Sequence, residues 1–498
     1  MLHRDKILRT LFLSTVIVAG CGRPPRVNGA AGAPPSPSVT WQPPANAVKP
    51  EPLVPPAQLA AIPPDLADRV RQLTISDVVD IALRNNPATR ASWSQARAAA
   101  FTFGSERGQY YPTINATTTV GRSQTPATTT RPAGKTTSYG PSVSLTYLVL
   151  DFGGRSGSIE RARQELFAAN LTHNSTIQNV VLQAEVAYFT YMATASLLSA
   201  ERSAIAEAQA NLNAAQGRNR VGLATIADVL QAKTALSQEQ LNLETTQGNL
   251  QAARGGLAAA LGLPANLPFD LQPLTEPLPV RTLALSVDSV ISEALRSRPD
   301  LQAARAQAEA AAQSVRVAKS AELPSLSLNS TAGRSFSNPQ LFAGPSYNIQ
   351  LGLSIPIFNG FSHQYDVAAA RAQADAVSAI ADQTRQTVVT QVFVSYYALQ
   401  TAAQRVTTAD DLLASAQQSA EVAAGRYREG VGSIIDLLTA QTALANARAQ
   451  QVQARWEWYT SLAQLARDAG VLSVRGDTPF VFSTDSTVPR PLPNPVRP

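Results

Sequence analysis

The sequence predicts a mostly α-helical fold with a small β part, built from two copies of one unit. Two segments that lie 208 residues apart are identical at 11 of 20 positions. Two stretches of 59 and 64 residues contain neither Gly nor Pro, and four shorter segments alternate apolar and polar residues. We therefore expect a duplicated coiled coil of long helices together with four β-strands per chain.

The amino terminus has the three parts of an export signal. Residues 1–20 begin with basic side chains, continue with the apolar segment Leu11 to Ala19, and end in small residues. The segment is too short to span a bilayer. Val18-Ala19-Gly20-Cys21 resembles a bacterial lipobox, so we expect lipidation of Cys21; the alternative is an ordinary signal followed by a chance cysteine. In the lipoproteins that this motif resembles, an Asp after the cysteine favours retention at the inner membrane, so the resemblance implies that Gly22 favours the outer membrane.

Proline content marks the segments that flank the folded parts. The 41 residues from Pro24 to Pro64 include thirteen prolines, which disfavour both helix and strand. The predicted order is a lipoprotein signal peptide (1–20), a Pro-rich tether (21–65), a first repeat (66–263), a Pro-rich link (264–279), a second repeat (280–472) and a flexible tail (473–498).

The repeat is clearest where GRNRVGLATIADVLQAKTAL, residues 217–236, aligns without a gap with GRYREGVGSIIDLLTAQTAL, residues 425–444. Pro87 and Pro299 are matching landmarks near the start of each half. Each half is expected to open with a helix, about 76–108 and 288–321. Two alternating segments, a very long helix, a Gly-containing turn and a second helix follow.

Four segments alternate with period two, which is typical of strands with one apolar and one polar side. They are 142–149 and 346–355, with weaker versions at 113–120 and 325–330. The intervening segments near 122–139 and 332–345 are rich in Thr, Ser, Gly and Pro and are expected to be exposed loops. Strand lengths near ten residues suit transmembrane strands; the alternative is a pair of soluble hairpins packed on the helices.

The stretches without Gly or Pro run from Ser158 to Gln216 and from Phe361 to Ala424. As helices they would reach roughly 90 and 95 Å, which indicates an elongated object. In the following helix, apolar residues recur every seven positions, as in a coiled coil: Val229, Leu236, Leu243, Leu250 and Leu257. An ordinary antiparallel coiled coil is the alternative for these helices taken alone.

Four strands in lipid predict an oligomer. An open sheet edge would leave unpaired N–H and C=O groups, each of which costs several kcal/mol in a bilayer. Two chains would supply eight strands and a filled interior, whereas three would supply twelve strands and a wider passage. We therefore expect a homotrimer with a 12-stranded β-barrel.

Composition argues against other classes of protein. The net charge is +6 and only 15% of residues are charged, so a basic nucleic-acid-binding surface is not expected. One Cys and three dispersed His match no metal-ligand spacing, so we expect neither a metal nor a cofactor. No G-x-S-x-G motif or nucleophile–base–carboxylate set is evident, so the chain is not expected to be an enzyme.

The lipobox, the duplicated unit and the repeated turn R-x-G-x-x-x-I-x-D-x-L-x-A together resemble one family, the TolC-like outer-membrane factors. The resemblance covers residues about 66–472. It implies a trimer with a twelve-stranded barrel in the outer membrane and a long α-helical tunnel, or α-barrel, in the periplasm. It also implies a passive exit duct for a tripartite efflux or secretion system, extending from the outer membrane of a Gram-negative bacterium.

By the same resemblance, the two turns form the periplasmic tip and contact the adaptor. The turn residues are Val221, Gly222, Leu223, Ala224 and Thr225 in the first half and Gly430, Val431, Gly432 and Ser433 in the second. Gly222 and Gly430 permit the chain reversal that joins two antiparallel helices. The alternative to adaptor contact is that these glycines only make the turns.

The resemblance also assigns a pore constriction to Asp228, Asp436 and Tyr427, with a Tyr427–Asp228 bond that holds the pore shut. An acidic ring there would favour cations. The alternative is that both Asp residues only favour helix starts. Gly432 and Thr439 depart from the family pattern and leave a further latch or acidic ring unsupported.

The expected partners are the other chains of the homotrimer, a periplasmic adaptor, an inner-membrane pump and outer-membrane lipid, without nucleic acid. The main alternative is a lipid-anchored periplasmic coiled-coil scaffold without a pore. The exported substrate does not follow from the sequence.

Overall fold

The structure is a computed structural model that describes residues 72–127, 129–130, 132–267, 269–272, 286–338 and 343–472. Contacts divide the chain into two units, Met1–Leu59 and Ala60–Pro498, and every described residue belongs to the second. The predicted signal peptide, Cys21, the tether, the tail and part of the link lie outside the described residues.

The elements follow the predicted order in each half. The first half contains α1 (Ile75–Asn85), α2 (Pro87–Arg107), a 3₁₀ segment (Gly108–Tyr110), β1 (Thr113–Thr125), β2 (Gly134–Leu150), α3 (Gly154–Arg220) and α4 (Ile226–Ala260). The second contains α5 (Val287–Ser297), α6 (Pro299–Ser320), β3 (Ser325–Asn338), β4 (Ala343–Ser354), α7 (Ser362–Arg428) and α8 (Ile434–Asp468). The predicted mostly helical fold with four strands is confirmed.

The single opening helix expected in each half is wrong, because each is broken in two. Asn86 and Arg298 are extended, with ψ of 126° and 120°, and each precedes a proline that starts the next helix. Proline sterically disfavours the helical conformation in the residue before it, yet its own ring suits the first helical position. The Pro87 and Pro299 landmarks therefore mark two equivalent helix boundaries.

The prediction that 122–139 and 332–345 are loops is also wrong over most of their length. The strands continue through them, so that β1 reaches Thr125 and β2 begins at Gly134, and the second hairpin is extended in the same way. Segments rich in Ser and Thr show no alternation of apolar and polar residues, so the sequence pattern does not reveal them as strands. Their backbone N–H and C=O groups nevertheless pair with a neighbouring strand like those of any other residue.

The strands form one antiparallel sheet in the order β1-β2-β3-β4. Its central pair joins the two halves of the chain, with Val143 opposite Ala332 and Tyr139 opposite Phe336. No strand packs along a helix within the described residues, which overturns the alternative of two soluble hairpins packed on the helices. In this part of the chain, β1 and β4 are the two sheet edges.

The register sorts the strand side chains onto two different faces, because neighbouring residues alternate. The first, called here the apolar face, carries Ile114, Val120, Tyr139, Val143, Leu145, Tyr147, Leu326, Leu328, Phe336, Tyr347, Ile349, Leu351 and Leu353. The opposite, polar face carries Thr117, Ser142, Ser144, Ser327, Asn329, Thr331, Asn348 and Gln350. Many apolar-face side chains are exposed, so in one chain this face has no cover.

The long helices α3 and α7 each contain 67 residues, or about 100 Å of helix. Each packs on its following helix, α4 or α8. Related cores lie where these pairs meet the opening helices: Tyr188, Ile81 and Leu257 belong to one core, and Val392, Leu301 and Leu465 to the other. Among the described helices, none has a stretch both apolar and long enough for a bilayer crossing.

The described start of the expected Pro-rich link packs on the first core. Phe269 is buried there. The Tyr188 hydroxyl donates to the Gln272 carbonyl at 3.0 Å. A parallel bridge joins Leu73 to Leu271, with the Leu73 N–H donating to the Asp270 carbonyl at 3.1 Å. This segment therefore covers the first core with no loss of backbone hydrogen bonding at the bridge.

Candidate functional site

The first turn joins α3 to α4 through residues 221–225. Gly222 has φ of +76°, a conformation that side chains rarely adopt. Its N–H donates to the Asn219 carbonyl at 3.0 Å, and the Leu223 N–H donates to the Arg218 carbonyl at 2.8 Å. The Asn219 side-chain amide donates to the Ala224 carbonyl at 2.9 Å. These bonds satisfy carbonyls at the end of α3 and reverse the chain.

The second turn joins α7 to α8 and has the same plan. Gly430 has φ of +82°, and its N–H donates to the Tyr427 carbonyl at 3.1 Å. The N–H groups of Val431 and Gly432 both donate to the Arg426 carbonyl at 3.0 Å. A Cβ at Gly432 would lie only 3.2 Å from the Arg426 carbonyl carbon, so this position holds the turn tightly against the end of α7.

Both predicted aspartates form capping boxes. Thr225 accepts from the Asp228 N–H at 3.2 Å, and the Asp228 carboxylate accepts from the Thr225 N–H at 2.8 Å. Ser433 and Asp436 repeat this arrangement at 3.1 and 3.4 Å. The helix-start role that the sequence left open is therefore present at both positions.

Tyr427 is the buried member of the predicted constriction. Its side chain is only 5% exposed and packs with Ile434 and Leu437. Its hydroxyl has no hydrogen-bond partner within the described residues. Burial raises the pKa of this hydroxyl, which the Arg218 cation opposes and the Asp228 carboxylate increases. Asp228 is thus close enough to act on Tyr427 electrostatically, without the hydrogen bond of a latch.

Arg218 instead connects the two turns. Its guanidinium lies 5.0 Å from the centre of the Tyr427 ring and donates to the Tyr427 carbonyl at 2.7 Å. That carbonyl belongs to the last turn of α7, where a cation is favourable. Arg218 was not among the predicted site residues. The repeated Gly-Arg pair at 217–218 and 425–426 was the available signal, but it does not tell which arginine reaches across.

The tip formed by the two turns presents apolar side chains. Val221, Leu223, Ile226, Val431 and Ile435 are all exposed. Such side chains on a pair of hairpin turns suit contact with another protein better than chemistry. In the described part of the chain, no group of His, Cys, Asp and Glu is arranged to hold a metal ion.

Comparison with known proteins gives consistent matches. The family model described as outer membrane efflux protein matches residues 78–263 and 290–471. Protein CyaE of Bordetella pertussis is 29% identical over 469 residues, which cover 92% of this chain and 93% of CyaE. The toluene efflux pump outer membrane protein TtgC of Pseudomonas putida is 27% identical over 402 residues, or 80% of this chain and 82% of TtgC.

Solved structures match in fold. The outer-membrane channel OprN superposes with a TM-score of 0.73 at 21% identity, covering 80% of this chain and 89% of OprN. The CmeC outer membrane channel of Campylobacter jejuni gives 0.70 at 20% identity, covering 80% of this chain and 85% of CmeC.

Proposed function

Since the chain belongs to the outer membrane efflux protein family, we propose that three copies of it form the passive exit duct of a tripartite efflux system. Membership confirms the predicted family, the outer-membrane location and the role of efflux channel. The trimer, the partners and the roles of individual residues are our proposal. The observation that carries it is the four-stranded sheet, with one uncovered apolar face and two open edges.

A sheet of this kind is stable in lipid only when its edges are paired. Three sheets joined edge to edge, β1 of one chain beside β4 of the next, make a closed barrel of twelve strands. The apolar face then contacts lipid, and the polar Ser, Thr, Asn and Gln side chains line a wet interior. The alternation of side chains along each strand therefore accounts for both the lipid-facing outer wall and the polar lumen.

The helices support further copies around the same axis. α3 packs on α1, α2, α4, α6 and α8, whereas α7 packs only on α5, α6 and α8 among the described elements. By the internal repeat, the neighbours that α7 lacks are the counterparts of α6 and α8, namely α2 and α4 of another copy. Exposed apolar side chains occupy these surfaces: Phe393, Val394 and Tyr397 on α7, Trp93 and Phe101 on α2, and Leu241 on α4. The same contact, repeated between chains, generates a closed tunnel.

The tip is proposed to contact a periplasmic adaptor. Residues 221–225 and 430–433 present the exposed apolar side chains to the hairpins of that partner, and an inner-membrane pump supplies the energy. Inside the tip, Asp228, Asp436 and Tyr427 form the narrowest part of the passage. Opening separates the two turns, so contacts that exist only in the open state stabilise it.

At the other end of the chain, Cys21 is proposed to carry a lipid anchor, joined by the tether 21–65 to the repeats at 66–263 and 280–472. Several acyl chains would hold it firmly in the membrane. The cargo we propose is toxic organic compounds, because relatives are named for efflux of toluene and antibiotics.

Planar-bilayer recording of the purified full chain tests the duct directly. We expect stable single-channel conductance and, in mild detergent, a particle with the mass of three chains. A monomeric or non-conducting particle would favour the pore-free coiled-coil scaffold. Deletion of the gene followed by a toxicity screen then tests the cargo.

A further inference from the structure

The loop end of the sheet carries three cations on its lipid side. They are Arg122 on β1, Lys135 on β2 and Arg334 on β3, and all three are exposed. We call them the outer cationic cluster. They lie at the end of the sheet away from the long helices, since the connections from β2 to α3 and from β4 to α7 leave from the other end.

The register places the cluster on the apolar face. Arg334 is two residues from Phe336, which pairs with Tyr139 of that face. Arg122 is two residues from Val120, which also pairs with Tyr139, and Lys135 is four residues from Tyr139. Because side chains alternate along a strand, all three cations project from this face. They do not project from the polar face that we assign to the lumen.

The cluster lies at the outer edge of the apolar face. On β3 this face extends from Leu326 to Phe336, which pairs with Tyr139. These ten steps span about 34 Å, or roughly 24 Å along the membrane normal for a strand tilted by 45°, which matches the ~25 Å apolar band of outer-membrane barrels. Arg334 is two residues inside this edge, whereas Arg122 and Lys135 lie beyond the paired Val120 and Tyr139. Arg122 and Lys135 therefore lie at the level of the lipid headgroups, and the long Arg334 side chain can extend to that level.

An aromatic pair lies at the same level. The rings of Tyr139 and Phe336 stack with centroids 5.5 Å apart, and the Arg334 guanidinium lies 5.3 Å from the Phe336 ring. Aromatic rings with cations beside them are typical of a membrane–water interface. This contact keeps the Arg334 charge close to the apolar band instead of extended into water.

The cluster has no compensating charge in its own hairpins. The sequence contains no Asp or Glu from Pro112 to Leu150 or from Leu323 to Tyr365. No ion pair of the described residues includes any of the three cations. A surface of this charge at headgroup level favours an anionic lipid over a neutral one.

We propose that the outer cationic cluster binds the phosphate groups of lipopolysaccharide in the outer leaflet. Arginine matches phosphate oxygens with two parallel hydrogen bonds, and lysine adds a compact charge. The acyl chains of the same lipid cover the apolar face below. This inference rests on the proposed function, because the orientation in the outer membrane comes from it.

The test uses the purified full chain in detergent, titrated with lipopolysaccharide and followed by native mass spectrometry. The variant combines Arg122→Gln, Lys135→Gln and Arg334→Gln. A matched control combines three substitutions of exposed arginines on helices outside the sheet: Arg90→Gln, Arg202→Gln and Arg371→Gln. A parallel titration uses lipopolysaccharide whose lipid A phosphates have been removed.

We expect the cluster variant to bind intact lipopolysaccharide at least about tenfold more weakly than the wild type and the control. The dephosphorylated lipid should bind all three proteins with equal, weak affinity. Equal binding of intact lipid by the cluster variant, or undiminished binding of dephosphorylated lipid by the wild type, overturns the proposal. So does an altered ion selectivity of the variant channel, because that would place the cations in the lumen.

Mass and conductance of the same samples separate the two levels of inference. If the cluster variant forms a conducting trimer and binds lipid as the wild type does, the proposed lipid site is wrong and the proposed duct stands. If the wild-type protein neither conducts nor forms a trimer, the proposed duct is wrong.

Discussion

The two long helices have the same length and corresponding sequences, but different surroundings. Phe189 on α3 is 5% exposed and stacks on Tyr459 of α8, whereas its counterpart Tyr397 on α7 is 44% exposed. The first half is therefore covered by the second within one chain, while the second half lacks an equivalent cover. This asymmetry supports the proposed contact between copies, in which another chain supplies the neighbour that α7 lacks.

The two turns differ in the same way on a smaller scale. Arg218 reaches from the first turn to the Tyr427 carbonyl of the second, whereas its counterpart Arg426 is exposed. The connection made by Arg218 therefore has no equivalent made by Arg426 within the described part of the chain.

The largest effect is expected from placing charges on the exposed apolar face of α7, which is proposed to contact another copy. The double substitution Phe393→Asp with Tyr397→Asp should abolish the trimer, because burying two unpaired carboxylates between helices is strongly unfavourable. Native mass spectrometry in mild detergent measures the mass, and circular dichroism checks that the helices persist. Ala414→Asp, at a position exposed on α7 and on α3 (Ala206) alike, is the control and should remain trimeric. A trimeric double variant would contradict the proposed contact.

The second prediction concerns Glu185, which stands on α3 where α7 has Phe393. Burial raises the pKa of the Glu185 carboxyl from 4.5 to about 7. The folded protein therefore binds this proton more tightly than the unfolded chain, so stability falls as pH rises from about 4.5 to 7 and is level above that. Glu185→Gln should remove this dependence and stabilise the protein at pH 8 by up to about 3 kcal/mol.

Thermal unfolding at pH 5 and pH 8 measures this difference. Glu421→Gln, which changes an exposed carboxylate on α7, is the control and should leave the pH dependence in place. An unchanged slope in Glu185→Gln would mean that another group titrates.

The third prediction compares the paired arginines of the turns. Arg218→Gln removes a hydrogen bond between the turns and should raise the open fraction of the channel by about two- to tenfold, because one such bond contributes about 0.5–1.5 kcal/mol. Arg426→Gln should have a smaller effect, because Arg426 is exposed. Single-channel recording measures open probability, and equal effects of the two variants would contradict the special role of Arg218.

The smallest effects are expected at the helix caps. Thr225→Ala and Ser433→Ala should each destabilise the first helical turn by about 1 kcal/mol. The two costs should be similar, since the bonds that the hydroxyls of Thr225 and Ser433 accept from the Asp228 and Asp436 N–H groups are 3.2 and 3.1 Å. Hydrogen exchange of the first turns of α4 and α8 measures both, and an unchanged exchange rate in either variant would contradict the capping role.

Local features of the fold were largely predictable. The long helices, the four strands and the capping aspartates each follow from a short stretch of sequence whose period or spacing is local. The break before Pro87 was readable by the same rule and was overlooked. The extent of the strands through 122–139 was not readable, because Ser and Thr side chains carry no apolar alternation while the backbone ladder extends regardless.

Contacts between distant segments were not predictable in this way. The pairing of β2 with β3 and the reach of Arg218 to Tyr427 join residues about 190 and 209 positions apart. Arg218 and Arg426 have nearly the same local sequence. Which of them crosses depends on the packing of α3 and α8, and no local rule contains that information.

The duplication, the element types, the turns and the family could all be predicted from sequence, because periodicity, capping and glycine placement act within a few residues of one another. The packing of distant segments was needed to show that the apolar residues share one sheet face, that α3 is covered and α7 is not, and that Tyr427 is buried beside Arg218. Those outcomes depend on which surfaces meet, since burial and electrostatic interactions are set by neighbours in space rather than by neighbours along the chain.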